Sequence, residues 1–367
     1  TLKEKRMIRF FDNILSIFNI FIINFKIFFI KKIQKKKIVF FYHPKKKLTL
    51  NNLNFIFSYF SQKKNFYFIY GSKLLINKKN FYLVKQIYLK FLFGIDIFLS
   101  NNVCDKFSPK SIKVYIHHDI YDTPLVEKKK EKNLKMSFLK YNYIVVASKK
   151  STKVFTNLFK SLSSKPKILI FKYPKINFIK KKLSQNKLKS DHILIAPTNY
   201  LSFPKFTIQT KLHELIDRLL KQNHKVIYRP HPSNFKDKLV VNLKSNFEHK
   251  NNFIFDDNPE YFNSYKKSKF LITDLSGTAY TFAITTGRPV IFFNHNDRYL
   301  KKYDYDKLNY FIDRHKVGWK FENIQKIMNF LKNNKKFESQ KLLKLKKFKK
   351  IFYDVKKFDL NCLLKYD

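Results

Sequence analysis

Glycine, cysteine and acidic residues are scarce in this 367-residue chain. It has 5 glycines, 2 cysteines and 26 acidic residues, against 76 lysines and arginines. It carries no glycine-rich phosphate loop of the Walker or dinucleotide type, and no Gly-x-Ser-x-Gly nucleophile elbow. Cys104 and Cys362 lie far apart, so neither a disulfide framework nor a cysteine-ligated metal site is indicated, and a reducing compartment is expected.

The excess of basic residues gives a formal net charge of +50. Such a charge permits binding to nucleic acid or to an anionic membrane surface. However, lysine, asparagine, isoleucine and phenylalanine are all abundant together, which is typical of A/T-rich coding sequences. The lysines are also scattered rather than gathered in one motif. We therefore expect an anionic membrane surface as a partner, and nucleic-acid binding is the least favoured alternative.

The segment 1–37 differs from the rest of the chain. Its stretch 8–30 is rich in Phe and Ile, and a run of lysines follows. Arg9, Asp12 and Lys26 interrupt the apolar stretch, which makes full spanning of a bilayer costly. The pattern predicts either an amphipathic helix in a membrane interface or a helix packed on the first domain. A cleaved signal peptide is not indicated, because the apolar stretch is too long.

From residue 38 onward, short apolar strands alternate with helices, which predicts doubly wound parallel sheets. A polar, basic stretch at 180–191 indicates a linker. We predict an N-terminal domain at 38–187, a C-terminal domain at 188–335 and a basic helical tail at 336–367. Strands are predicted at 38–42, 66–70, 95–99, 113–116, 143–148, 167–171, 193–195, 225–228, 253–255, 270–273 and 290–293, and helices at 81–93, 149–160, 208–222, 261–267 and 324–331.

The stretch 271–293 has the clearest pattern: strand, turn, helix, turn, strand. Ser276, Gly277 and Thr278 open the helix, and Gly287 and Pro289 close it. A helix start presents unpaired N–H groups and a partial positive charge, which favour phosphate. An ordinary βαβ unit with a serine cap is the alternative.

Polar clusters follow four predicted strands, where α/β folds bind ligands. Together they would place two histidines, one arginine and one helix start at a shared cleft. Histidines can act as base and acid near neutral pH, and an arginine with backbone amides can hold a diphosphate. Each cluster alone also fits a solvated loop or a rigid turn. The clusters are His117-His118-Asp119, Ala196-Pro197-Thr198-Asn199, Arg229-Pro230-His231-Pro232 and Asp274-Leu275-Ser276-Gly277-Thr278.

Five short motifs, in this order, resemble the CDP-glycerol glycerophosphotransferase family of teichoic-acid and capsule polymerases. The resemblance covers roughly residues 110–330. The motifs are Tyr143 to Ser148, Tyr173-Pro174-Lys175, Leu194-Ile195-Ala196-Pro197-Thr198, Arg229-Pro230-His231-Pro232, and Asp274-Leu275-Ser276 with Pro289-Val290-Ile291-Phe292.

The resemblance implies a GT-B-like α/β fold, with two Rossmann-like domains facing a cleft and no metal or other cofactor. It implies transfer of glycerol phosphate, or a related polyol phosphate, from a CDP-activated donor to a lipid-linked or polymer acceptor. The expected location is the cytoplasmic face of the cell membrane, as a peripheral protein. A GT-B glycosyltransferase that uses a nucleotide sugar for capsule or lipopolysaccharide is the enzymatic alternative.

The resemblance also implies residue roles. The family's His-Gly-Thr motif matches His117-His118-Asp119 without its Gly and Thr, and we favour His118 over His117 as the base. His231 matches the His-Pro motif as the second catalytic histidine. Asp304 and Asp306 are spaced as metal ligands might be, but a solvated turn is the simpler interpretation. The expected diphosphate ligands are Arg229, Asp274, Ser276, Gly277 and Thr278, and the expected nucleotide contacts are Pro197, Thr198 and Asn199.

Overall fold

Two parallel β-sheets, one in each half of the chain, carry the fold in the computed structural model of this protein. The structure describes residues 2–43, 64–72, 79–117, 121, 131–160, 162–172, 174–185, 190–201, 204, 207–258, 260–294, 301, 308–333, 335–356 and 359–364.

The first sheet has seven parallel strands in the order β3-β2-β1-β4-β5-β6-β7. Most of them are continuous apolar runs, because helices cover both faces of such a sheet. The strands are β1 (Lys37–His43), β2 (Phe66–Ser72), β3 (Phe81–Leu83), β4 (Ile97–Ser100), β5 (Ile112–Ile116), β6 (Tyr143–Val146) and β7 (Lys167–Ile170).

The second sheet has six parallel strands in the order β10-β9-β8-β11-β12-β13. Its central strands are almost fully buried. The strands are β8 (His192–Ile195), β9 (Lys225–Tyr228), β10 (Phe253–Phe255), β11 (Ser268–Thr273), β12 (Val290–Phe293) and β13 (Gly318–Phe321).

Helices connect the strands and cover the sheets. Those of the first half are α1 (Leu2–Phe29), α2 (Glu131–Phe138), α3 (Thr152–Leu158) and α4 (Pro174–Ser184). Those of the second half are α5 (Leu212–Lys221), α6 (Lys238–Phe247), α7 (Phe262–Lys267), α8 (Thr278–Thr286), α9 (Asn309–Ile312), α10 (Arg314–Val317), α11 (Ile324–Lys332), α12 (Lys335–Tyr353) and α13 (Asn361–Leu364). Short turns at Ile30–Gln34, Gln86–Phe91, Gln209–Lys211 and Pro232–Asn234 complete the described elements.

The strand orders confirm two doubly wound α/β units. In each sheet the direction of winding reverses once, between β1 and β4 in the first and between β8 and β11 in the second. The loops that follow such a pair leave the sheet in opposite directions, which opens a crevice at the carboxyl ends of the strands. The two crevices are therefore the places to look for ligand-binding residues.

Two predictions of local structure were wrong. The stretch 81–93 begins as the edge strand Phe81–Leu83, and only Gln86–Phe91 forms a helical turn, of the 3-10 type. The expected linker begins inside helix α4, which starts at Pro174. Proline has no backbone N–H, and the first helical turn does not need one, so Pro174 opens this helix instead of merely ending the preceding strand.

Helix α1 packs along one side of the first domain. Its inner face, which includes Ile20, Ile23 and Ile27, is buried against the turn at Gln86–Phe91 and neighbouring strands. Polar residues on that face bind the domain, for example Asn19 Nδ2, which donates to the carbonyl of Leu83 at 2.9 Å. The packed-helix alternative is therefore correct for the inner face.

The outer face of α1 is apolar and exposed. It carries Met7, Ile8, Phe10, Phe11, Ile14, Ile17, Phe18, Phe21, Phe25, Phe28 and Phe29, and Ile33 continues it. We call this surface the outer apolar face. By length and composition the stretch Arg6–Gln34 could cross a membrane, but a third of its most apolar window is buried in the protein.

The basic C-terminal segment is not a free tail. Helix α12 buries Leu345, Phe348 and Phe352 in the core that joins the two sheets. Beyond it, the backbone N–H of Lys172 in the first domain donates to the carbonyl of Lys356 at 2.7 Å. The chain thus crosses back from the second domain to the first.

A second link between the domains is a buried ionic cluster around Asp313. Its carboxylate is 1% exposed and lies 2.6 Å from the ammonium groups of both Lys150 and Lys316. The hydroxyl of Tyr121 donates to the same carboxylate, and its ring stacks on Tyr280 at 4.2 Å. We call this group the interdomain clasp.

Candidate active site

The start of helix α8 lies at the crevice of the second sheet. Gly277 is its N-cap, and the helix ends at Thr286 with Gly287 in the left-handed conformation at φ 75°. That end confirms the predicted closure, since glycine adopts positive φ without a Cβ clash. Ser276, Gly277 and Thr278 are half-buried, so this helix start is accessible to a ligand. The phosphate-favouring end therefore lies where the topology predicts a ligand.

Asp274 holds the two loops of this crevice together instead of facing a ligand. Its buried carboxylate accepts the backbone N–H groups of Thr198 at 2.8 Å and Leu275 at 2.7 Å through Oδ1, and of Ile208 at 3.0 Å through Oδ2. Burial raises the pKa of Asp274, and the backbone N–H donors oppose that rise. Asp274 thus positions the two loops, and its contact with the diphosphate stays a prediction.

The loop after β8 supplies the other wall. Pro197 and Thr198 are buried there, and Asn199 is half-buried with its Oδ1 accepting the N–H of Leu201 at 3.1 Å. Thr273 Oγ1 donates to the carbonyl of Ala196 at 2.6 Å, which adds a second bond across the crevice. These bonds join the motif after β8 to the motif after β11 across the crevice.

His231 lies in the loop after β9. It caps the turn Pro232–Asn234, and its Nδ1 accepts the backbone N–H of Ser233 at 3.2 Å. With Nδ1 as the acceptor, the neutral ring carries its proton on Nε2. Strands β9 and β11 flank β8, so the loops that follow them are about 10 Å apart at the same sheet edge. His231 can therefore present an N–H donor near the start of α8.

Arg229 is already paired. Its guanidinium is buried, and Nη1 donates to Asp256 Oδ2 at 2.8 Å. Ser264 Oγ donates to the same carboxylate oxygen. Asp256 thus balances the charge of Arg229, so the structure favours a role in fixing the loop before His231 over that of a lone cation for diphosphate.

Arg314 belongs to this site and was not predicted from the sequence. Its Nη2 donates to the carbonyl of Asp274 at 3.0 Å, and its guanidinium lies over the rings of Phe292 and Phe311 at 4.7 and 4.4 Å. Tyr310 Oη donates to the carbonyl of Ser276 at 2.8 Å. This Arg-aromatic packing supports the turn that leads into α8, and no short motif announces it.

Of the two neighbouring histidines predicted as the base, the structure describes His117. His117 is 1% exposed; its ring packs edge-on against Phe155 at 5.2 Å, and its Nδ1 lies 3.4 Å from the hydroxyl of Tyr115. It is a buried residue that directly follows β5, so His117 is a poor candidate for the base. His118 and Asp119 lie outside the described residues, and the role of His118 stays a prediction.

The crevice of the first sheet holds a polar group that sequence reasoning missed. His43 is the last residue of β1 and Asn101 directly follows β4, the two strands where the winding reverses. His43 Nδ1 lies 3.1 Å from Asn101 Oδ1, and Asn102 Nδ2 donates to that oxygen at 2.9 Å. The available signal in the sequence was that each residue lies at the end of an apolar strand or directly after it.

The described part of the chain holds no group of three or more His, Cys, Asp or Glu side chains that could bind a metal ion. Asp304 and Asp306, the alternative carboxylate pair, lie outside that part.

A family model for CDP-Glycerol:Poly(glycerophosphate) glycerophosphotransferase matches residues 23–357. The chain belongs to this family. The match confirms the predicted resemblance and extends it at both ends, so that it includes part of α1 and all of α12. The matched range therefore includes all the sequence motifs that we assign to the candidate site.

Named relatives agree with this assignment. The chain is 28% identical to the Bacillus subtilis (strain 168) minor teichoic acid biosynthesis protein GgaB over 146 residues, which is 38% of this chain and 15% of GgaB. A variant of the wall teichoic acid polymerase TagF matches with a TM-score of 0.62 and 20% identity over 88% of this chain and 85% of that structure. The S. aureus MnaA-UDP co-structure matches with a TM-score of 0.57 and 12% identity, covering 84% and 90%. These structural likenesses show the fold, and with it the GT-B-like architecture.

Proposed function

We propose that this chain transfers glycerol phosphate, or a related polyol phosphate, from a CDP-activated donor to an acceptor hydroxyl in the synthesis of a cell-surface polymer. Family membership gives the reaction class. The observation that carries the site is the crevice whose two loops are held together by Asp274. The start of α8 is accessible there, and His231 lies in the loop after β9, which is separated from β11 by β8 alone. One TagF structure is described as soaked with CDPG, which supports this donor class.

In the proposed reaction the acceptor hydroxyl loses its proton to a base, for which we keep His118. The acceptor oxygen attacks the phosphorus that bears the polyol and forms a new P–O ester bond. The bond from that phosphorus to the bridging diphosphate oxygen breaks, and CMP leaves with the electron pair. The negative charge that grows on the phosphates faces the start of α8 and the Nε2–H of His231. Because the fold holds both groups in place, they need little reorganisation during the step.

The test is a transfer assay with purified full-length chain and several donors. We expect turnover with CDP-glycerol or CDP-ribitol and none with UDP-sugars. His231→Ala should lower the rate by on the order of 10²- to 10⁴-fold while the protein stays folded, since it removes a group that stabilises the transition state. The matched control is His249→Ala, which changes an exposed histidine in the turn between α6 and β10. Turnover with nucleotide sugars alone, or a His231→Ala rate within a few-fold of wild type, would contradict the proposal.

We further propose that α1 lies flat on an anionic membrane. Its outer apolar face continues into Ile87, Phe91 and Phe93, because Asn24 Nδ2 donates to the carbonyl of Phe91 at 2.8 Å and its Oδ1 accepts the N–H of Phe93 at 3.0 Å. Lysines border this surface at 32, 35 and 90. A helix docked lengthwise on its own domain cannot cross a bilayer without losing that packing, so interfacial insertion is favoured.

Substitution on the outer apolar face tests the membrane proposal. Phe18, Phe21 and Phe25 are 59%, 70% and 60% exposed. Full burial of one Phe side chain contributes about 2 kcal/mol. Because only the exposed part of each ring is newly buried on insertion, the three together contribute about 4 kcal/mol, which is about a thousandfold in the partition coefficient between water and membrane. A triple Phe→Ser variant should lose that much binding in vesicle co-sedimentation. Leu201→Ser, Leu239→Ser and Leu343→Ser, which change equally exposed residues elsewhere, are the control, and equal binding by both variants would refute the proposal.

A further inference from the structure

A basic pocket lies at the far end of α8 from the candidate active site. Its volume is about 540 Å³, a size typical of small-ligand sites. It is enclosed by helices α4, α7 and α8, and the residues that line it include three cations, two threonines and a tyrosine. The lining residues are Lys180, Leu183, Ser184, Tyr265, Lys266, Thr285, Thr286 and Arg288.

Two further lysines extend this positive charge. Lys349 Nζ would lie 3.1 Å from a Cβ built on Gly287, which places it beside the end of α8. The ammonium groups of Lys172 and Lys180 both lie near the ring of Tyr353, at 5.3 and 4.0 Å from its centroid. Within the described ranges, no carboxylate lies within 4 Å of Lys172, Lys180 or Lys349. The cluster therefore differs from the paired lysines elsewhere on this basic chain, such as Lys150 and Lys316 in the interdomain clasp.

Not all the positively charged side chains around this pocket are needed to hold the fold together. Arg288 has a structural function, because its Nη1 donates to the carbonyls of Tyr265, Lys266 and Ser268 and so satisfies the end of α7. Lys180 and Lys349 have no such bond among the described residues. Burial lowers the pKa of Lys349, and the nearby charge of Lys180 lowers it further. Like charges held together in a half-enclosed cavity are destabilising unless an anion joins them.

We propose that the basic pocket is a second phosphate-binding site, which holds a phosphodiester of the product chain. This inference rests on the proposed function, since that reaction makes a chain with one phosphate in every unit. Helix α8 has nine residues, so the pocket lies about 13 Å from the donor-facing helix start. Tyr265 spans part of the gap, because its hydroxyl lies 3.0 Å from Thr278 Oγ1 while its carbonyl binds Arg288 in the pocket.

The experiment measures binding of a short glycerol phosphate oligomer to the full-length chain at low salt, without donor. The test variant is the double substitution Lys180→Gln and Lys349→Gln. The control variant, Lys181→Gln with Lys346→Gln, removes equal charge from exposed positions on the same two helices. We expect the test variant to bind the oligomer on the order of tenfold more weakly, as the loss of charge-assisted hydrogen bonds predicts, and the control to bind normally. Lys180→Gln alone, at an exposed side chain, should give part of the loss if the double variant is unstable.

The outcomes distinguish binding of the polymer from binding of free phosphate or nucleotide. Equal oligomer affinity of the test and control variants would overturn the inference, and so would displacement of the oligomer by inorganic phosphate or CMP at the same phosphate concentration. Transfer of a single unit to a short acceptor should stay unchanged in the test variant, while long products become shorter. If the chain makes no transfer from CDP-glycerol but the test variant still loses oligomer binding, the proposed function fails and the pocket assignment stands.

Discussion

Removal of the carboxylate at the centre of the interdomain clasp should destabilise the protein more than removal of one partner from a surface ion pair. Asp313→Ala leaves the ammonium groups of Lys150 and Lys316 without their counter-ion, and the hydroxyl of Tyr121 without its acceptor. Breaking a buried ion pair by removing one partner costs about 3–5 kcal/mol. Both lysines are 35% exposed, so water can solvate them in part. We therefore expect a loss of about 2 kcal/mol, or about 30-fold in the unfolding equilibrium.

Urea unfolding followed by circular dichroism measures this loss. The matched control is Asp217→Ala, which removes an exposed partner of Lys221 at 2.8 Å on α5 and should cost at most about 0.5 kcal/mol. If Asp313→Ala is no more destabilised than the control, the clasp does not hold the domains together and the reasoning fails.

The clasp also predicts the direction of a pH effect. Burial alone would raise the pKa of Asp313, but the bonds from Lys150, Lys316 and Tyr121 outweigh it and hold the pKa below its ordinary value. A depressed pKa in the folded state means that the stabilisation is complete above the unfolded-state pKa, at about 4, and is lost as the pH falls through the lower folded value. Wild type should therefore lose stability below about pH 4 more steeply than Asp313→Ala.

Two other perturbations test the site and the second sheet. Turnover should survive EDTA, because the growing phosphate charge is met by the start of α8 and by His231; complete inhibition that added metal reverses would point to carboxylates such as Asp304 and Asp306. Gly318→Ala should cost about 3 kcal/mol or more in urea unfolding, because a Cβ there would lie 1.8 Å from the carbonyl oxygen of Val290. The exposed Lys320→Ala on the same strand is its control, and equal stability of the two variants would show that β12 and β13 can separate without cost.

Short-range patterns in the sequence were enough to predict the strand-helix-strand unit at 271–293. The stretch 271–293 has its helix start, glycine stop and flanking strands within 23 residues, and every one of these features is local. The bonds that give those residues their roles are not local. Thr198 and Asp274 are 76 residues apart, and Asp313 and Tyr121 are 192 apart. Such pairings arise from strand order, which the spacing of motifs does not determine.

Helix α1 shows a pattern that could have been used more fully. Asp12, Ser16, Asn19 and Lys26 interrupt its apolar run at spacings of three, four and seven, which places them on one side of a helix. That side faces the domain: Ser16 Oγ accepts the N–H of Lys85 at 3.2 Å, and Lys26 Nζ donates to Asn80 Oδ1 at 2.7 Å. The polar interruptions therefore mark the docked face, which they share with buried residues such as Ile23 and Ile27. A strip of polar residues in an apolar helix would have favoured packing, where composition alone left packing and membrane binding equally open.

The neighbouring residues Asp313 and Arg314 connect the two halves of the candidate site. Asp313 binds Lys150 and Tyr121, which belong to the first domain, while Arg314 donates to the carbonyl of Asp274 in the second. Asp274 in turn fixes the loop of Thr198 and precedes the start of α8. A change in the position of the first domain would therefore be transmitted to the turn that leads into α8, the helix whose start we propose as the donor-binding end. Since we propose the acceptor base in the first domain and the donor crevice in the second, this short path would couple the positions of the two reacting groups.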